Sequence, residues 1–183
     1  MSDWRPESIS TVDYLKTSES NRPREVTYGI VREPPAPFFS HQSVVLATAR
    51  ALCDHTDRGG LGKVAVAPID VILDPERALI VQPDVLFVST ERLSIIRDQV
   101  WGAPDLVVEV FSHGSETYDR KEKYGWYRQD GVREFWMIDG QHEQVIVNDF
   151  TGATPVAHAA GMLDVVPSQL FPRLALKVST LFV

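Results

Sequence analysis

One cysteine, Cys53, is all the thiol chemistry in this chain of 183 residues. It cannot close an internal disulfide. It lies in an apolar helical pattern with no activating motif around it, so a small core residue is expected. Long apolar runs are also lacking, and none approaches the roughly 18 to 20 residues that a membrane-crossing helix needs. The opening residues, MSDWRPESIS, have none of the basic-then-apolar layout of a secretory signal. Together these absences predict a cytoplasmic protein without a membrane partner. A basic surplus is missing too: 18 Lys and Arg face 25 Asp and Glu, for a net charge of −7. That argues mildly against a domain whose main task is to clamp nucleic acid electrostatically, yet leaves room for an enzyme with a locally basic site. No His/Cys spacing suits zinc. There is no internal repeat and no low-complexity segment. The length fits one domain with a substantial core.

Residues 1–23 are polar and poorly patterned. They are taken as an N-terminal extension with a short helix over 11–15, and residues 24–183 as a single domain. EVTYGIVR (25–32) predicts a short strand or hairpin, and EPPAPFFS (33–40) a proline-stiffened connector. Ser40 is placed to cap a helix, HQSVVLATARALCDHT. A helical step of about 100° puts His41, Val45, Thr48, Ala49 and Leu52 on one face. His41 thus opens a core-facing stripe, either as a hydrogen-bonded rim residue or as part of a site. KVAVAPIDVIL predicts one strand, and ALIVQPDVLFV a second that Pro83 interrupts. Residues 91–101 are a loop or short helix, 134–138 a strand, and QVIVNDF its antiparallel neighbour. The expected fold is α/β (α+β), with a mixed central β-sheet flanked by helices.

The chemistry concentrates in GAPDLVVEVFSHGSETYDRKEKYGWY, residues 102–127. Alternation puts Leu106, Val108 and Val110 on one face of a strand and Val107, Glu109 and Phe111 on the other. Both faces are apolar, as in a central strand covered on two sides, and Glu109 is the exception. Unpaired, it would be costly and its pKa would rise. A buried protein cation or a metal ion would keep it charged; a structural ion pair is the plainer of the two. Asp84 begins the preceding strand. If the strands set it level with Glu109, two carboxylates converge, and oxygen-only ligation suits Mg²⁺ or Mn²⁺. On the helix that follows, Lys123 and Tyr127 share a face at the border of an aromatic stripe, whereas Lys121 points about 200° away, to solvent. Lys123 is the lysine able to reach Glu109.

QPDVLFV, GAPDLVVEVFS and YDRKEKYGWYRQDGVREFWMID, with REVTYGIVREPPAPFFSHQ upstream and FPRLALKVSTLF downstream, together resemble the Uma-type family of bacterial restriction endonucleases, within the PD-(D/E)XK nuclease superfamily. The resemblance implies a restriction-endonuclease-like core and a hydrolase acting on DNA with Mg²⁺ or Mn²⁺. It implies Asp84 and Glu109 as metal ligands, with Lys123 and Glu25 completing the catalytic set. Phe111 stands where the superfamily has its lysine, and Lys123 on the next helix matches its substitute. His41 and Gln42 match the start of the first helix. Val110, Ser112 and Tyr127 are expected to line the site. Two departures stand out: Tyr28 replaces a common acidic residue, and SHGSE replaces a common Ser-Pro-Ser turn. A homodimer would bring two such sites to both strands of a duplex. Two rivals remain, a nuclease-fold module without activity that binds nucleic acid or a protein, and a nuclease acting on RNA or branched DNA.

Overall fold

The computed structural model describes residues 8–17, 22–111 and 118–182. Its elements run α1 (Thr11–Tyr14), β1 (Glu25–Thr27), β2 (Ile30–Arg32), α2 (Phe39–Gly59), β3 (Gly62–Val66), β4 (Val71–Asp74), β5 (Leu79–Val81), β6 (Val85–Ser89), β7 (Val100–Trp101), β8 (Leu106–Phe111), α3 (Tyr118–Asp130), β9 (Glu134–Asp139), β10 (Gln144–Asp149) and β11 (Val156–Ala160). Short 3₁₀ helices cover Thr90–Ile95 and Val178–Leu181. Among the described residues none of the helices is long and apolar enough to cross a membrane.

Two sheets form where one was expected. The smaller has the order β2-β1-β5-β4-β7 and the larger β11-β10-β9-β8-β6-β3. Each is mixed, since β4–β7 and β8–β9 are the parallel pairs. The physical reason lies in two prolines. The apolar runs 63–73 and 78–88 each read as one strand in the sequence, but each crosses from one sheet to the other. β3 pairs with β6 up to Val66↔Val85, and β4 pairs with β5 from Val71↔Val81. Pro68 and Pro83 fall in the gaps between these pairings. With no N–H to give, a proline cannot continue a ladder, so the ribbon divides there. Asp84 follows Pro83 directly and so stands at the seam between the sheets.

The larger sheet is covered on both faces. Leu106, Val108 and Val110 of β8 pack with Trp136, Ile138, Phe87 and the α2 residues Val44, Val45, Ala49 and Leu52. Val107 and Phe111, on the other face, join Trp126 and Tyr127 of α3 and Val71, Leu79 and Val81 of the smaller sheet. The helical stripe on α2 matches the expected face, now including Val44 and Thr56. Its start differs. The capping position is Phe38, without a side-chain bond, and Ser40 lies inside the first turn. The helix closes on Gly60 at φ 59, a left-handed residue that glycine adopts without strain.

Three further elements depart from expectation. The edge strand β11 pairs with β10, but its exposed VAHAA carries almost no alternation to predict it. Helix α1 docks on the smaller sheet: Thr11 donates to the Pro75 carbonyl at 2.8 Å and Tyr14 to Asp70 Oδ1 at 3.2 Å. The C-terminal segment is tied to β9 through Glu134, which is fully buried. Glu134 accepts from Trp136 Nε1, Ser168 Oγ and the Gln169 amide at 2.8, 2.6 and 2.7 Å. Cys53 is a half-buried free thiol on α2.

Candidate active site

The register of β6 against β8, Val85↔Val108 and Leu86↔Val107, continues by one residue to set Asp84 opposite Glu109. The backbone confirms the closeness: the Val110 amide donates to Asp84 Oδ2 at 2.8 Å. His41, at the start of α2, brings Nε2 to 3.3 Å from the same oxygen. A third carboxylate comes from the smaller sheet. Glu25 on β1 accepts from the Gln82 amide at 3.1 Å, one residue before Pro83. Carboxylates from two sheets therefore meet at the seam, and the helix α3 supplies their cation.

That cation is Lys123. Its ammonium donates to Glu109 Oε1 at 2.9 Å and to Glu25 Oε1 at 3.0 Å. Tyr127, one helical turn on, donates to Glu109 Oε1 at 2.6 Å. Lys121 is exposed, as the helical step requires. Glu109 is buried, and desolvation is the main force pushing its pKa up to about 7. Lys123 opposes the rise, while Asp84 and Glu25 add to it. Burial alone would lower the pKa of Lys123, but Glu109 and Glu25 outweigh it and hold the ammonium charged. Burial and then Glu109 raise the Tyr127 phenol well above its ordinary range, which keeps it a neutral donor. For His41, burial is again the largest influence and lowers the pKa. The Asp84 carboxylate and the Val110 backbone outweigh it, so the net direction is up.

The seam thus gathers three carboxylates, two of them bonded to one lysine, and burial first, then the charges of Asp84 and Glu25, raises the pKa of Glu109 against the pull of Lys123. Among the described residues no three His, Cys, Asp or Glu side chains stand close enough to enclose a metal ion on their own. A protein cage of the structural-zinc kind is therefore not built here. Two carboxylates with water completing the shell is the arrangement Mg²⁺ and Mn²⁺ accept. Among the described residues the bonds to Glu109 go to Oε1 and those to Asp84 go to Oδ2, which leaves Oε2 and Oδ1 as the oxygens able to face a cation.

Of the other sequence candidates, Val110 and His41 line a cleft beside the seam, Gln42 is exposed and outside that lining, and Ser112 lies outside the described residues. Residue-level reasoning missed what holds Glu25 in place. Gln82 uses its backbone amide on Glu25, and its side chain accepts from the Arg24 amide and donates to Asp70. It also missed a clip between the hairpin and α3, where Trp126 Nε1 donates to the Tyr28 hydroxyl at 2.9 Å. Tyr28 sits at φ 52, a left-handed conformation unusual for a bulky residue, and this was a possible signal, since a Tyr-Gly turn departs from the usual hairpin chemistry.

Comparison with known proteins agrees with this fold. A solved structure described as "a putative nuclease belonging to DUF820 from Anabaena variabilis" matches with a TM-score of 0.79. The two are 17% identical, and the match covers 95% of this chain and 97% of that one, so what they share is the fold. No curated protein matches the chain. The family described as "Uma2: Putative restriction endonuclease" matches residues 13–179. That match spans most of the sequence, and the chain belongs to the Uma2 family.

Proposed function

We propose that this protein is an endonuclease that hydrolyses DNA phosphodiester bonds with the help of Mg²⁺ or Mn²⁺. The observation that carries the reading is the meeting of Glu109 and Glu25 on Lys123 at the seam of two sheets, with Asp84 held beside Glu109 by the Val110 amide. Asp84 Oδ1, Glu109 Oε2 and the Val110 carbonyl would hold the cation. When bound, a divalent cation there supplies Lewis-acid polarisation of the phosphate and makes a nearby water a stronger acid. The protein's own groups do the rest. Lys123 keeps its proton and offers an ammonium N–H toward the attacking water or the developing charge on phosphate. Tyr127 and the Val110 amide fix the two ligand carboxylates in place, and His41 anchors Asp84. Glu25, held by the Gln82 amide, orients Lys123 and can accept a proton. The same reading includes a cytoplasmic setting and a homodimer that presents two sites to a duplex.

The rival is a nuclease-fold module without activity. It draws on the direct Lys123–Glu109 bond, which satisfies the buried carboxylate without a metal, and on Phe111 in place of a strand lysine. Supercoiled plasmid incubated with Mg²⁺ or Mn²⁺ separates the two. The wild type is expected to nick or linearise it, and Glu109→Ala and Lys123→Ala are expected to be inactive. Equal cleavage by all three proteins, or none by the wild type with either metal, would refute the proposal.

A further inference from the structure

A cleft of about 520 Å³ opens beside the seam, between the first turn of α2, the end of β8 and the C-terminal 3₁₀ helix. Phe38, Phe39, His41, Val110, Phe111 and Phe182 are the lining residues that matter here. Two of them stand almost bare: Phe38 is 75% exposed and Phe39 is 88% exposed. Neighbouring large apolar groups left in water mark a surface that something else covers. The described lining has no lysine or arginine and one carboxylate, Glu143, so it favours a neutral, flat, apolar-faced ligand over a phosphate. The cleft is also continuous with the candidate active site. His41 and Val110 belong to both, since each contacts Asp84 Oδ2, at 3.3 and 2.8 Å. His41 Nδ1, the ring atom turned away from Asp84, is buried without a partner among the described residues.

In a nucleic acid, the neutral flat group next to a phosphate is the base. Within a duplex its faces are covered by stacking and only its edges are open. Aromatic rings can cover a base face only when the base has left the stack. The size of the cleft falls within the range of small-molecule pockets, ample for one base. We propose that the cleft receives an unpaired nucleobase of the strand being cut, next to the scissile phosphate, so that the substrate class is single-stranded or locally unpaired DNA. This rests on the nuclease reading above and adds to it the form of the substrate.

Fluorescence anisotropy with labelled oligothymidylate and with a duplex of equal length, in chelator so that nothing is cut, reads the binding directly. The wild type is expected to bind the single strand more tightly. The double variant Phe38→Ala/Phe39→Ala is expected to bind it about 5- to 100-fold more weakly with duplex binding unchanged, in line with the worth of base–aromatic stacking. Phe39→Trp is expected to retain binding. Both phenylalanines are exposed, so the substitutions leave the core intact, and a thermal melt checks this. Tighter binding of the duplex by the wild type, or undiminished single-strand binding by the double variant, overturns the inference. Cleavage of the same two substrates with Mn²⁺ separates the two claims. No cleavage with binding as expected refutes the nuclease reading and leaves the cleft as a site for an unpaired base. Cleavage at wild-type rates by the double variant, with its binding undiminished, refutes the cleft's role and leaves the nuclease.

Discussion

Replacing Lys123 by methionine keeps most of the side chain's length and removes its charge. In the wild type the ammonium serves two carboxylates at 2.9 and 3.0 Å, one of them buried. The consequence is a pH-dependent stability. In the metal-free fold the pKa of Glu109 is about 7 against an ordinary 4.5, so between those values the folded state binds more protons than the unfolded chain. Stability therefore falls as pH rises through that window, and the full drop is on the order of 3 kcal/mol. Without Lys123 the main force holding that pKa down is gone, and the window extends upward. Near about pH 5 Glu109 is protonated in both proteins, and the variant loses hydrogen bonds worth about 1–2 kcal/mol. Near about pH 8 it must either bury an uncompensated charge or hold a proton against the solvent, for a cost of about 3–5 kcal/mol. Urea unfolding in chelator across this range measures the difference. The gap between wild type and Lys123→Met is expected to widen with pH, and adding Glu109→Gln is expected to remove most of the widening. A gap that stays constant with pH would refute the account of the seam's electrostatics.

Two further substitutions test the scaffold around the seam. Glu134→Gln places an amide N–H₂ against the donors that now meet a carboxylate, and is expected to cost about 1–3 kcal/mol in urea unfolding with the C-terminal segment loosened in hydrogen exchange. Tyr28→Phe removes the acceptor of the buried Trp126 indole and is expected to destabilise by about 1 kcal/mol in a thermal melt, whereas no change would show that the clip contributes nothing.

Periodicity alone located the local geometry around Glu109. Alternation along β8 separated Leu106, Val108 and Val110 from Val107, Glu109 and Phe111, and the structure packs the two sets on opposite faces. The helical step distinguished Lys123, which bonds Glu109, from Lys121, which is exposed. It also set His41 on the inward stripe of α2, and the structure brings that ring to Asp84. What periodicity could not show was the crossing between sheets. Apolar residues resume on the far side of Pro68 and of Pro83, so each pair of strands reads as one strand with an interruption. Consequently the smaller sheet went unseen, and with it the physical reason for Glu25 to lie near Glu109. That approach depends on contacts such as Lys123 with Glu25, 98 positions apart in sequence, which no local pattern encodes. Family resemblance named Glu25 where spacing could not, and the structure sets it 3.0 Å from Lys123. The start of α2 was misplaced because Phe38 and Phe39, exposed aromatics at a helix end, run against ordinary capping chemistry.

Calorimetric titration with Mn²⁺ tests most directly whether the seam is a cation site. Wild-type protein is expected to bind the ion, and Asp84→Asn and Glu109→Gln, each checked for folding, are expected to lose that binding. Lys123→Met is expected to keep it, and to bind more tightly at high pH, because the competing ammonium is gone. Binding unaffected by Asp84→Asn and Glu109→Gln, or no binding to the wild type, would contradict the account.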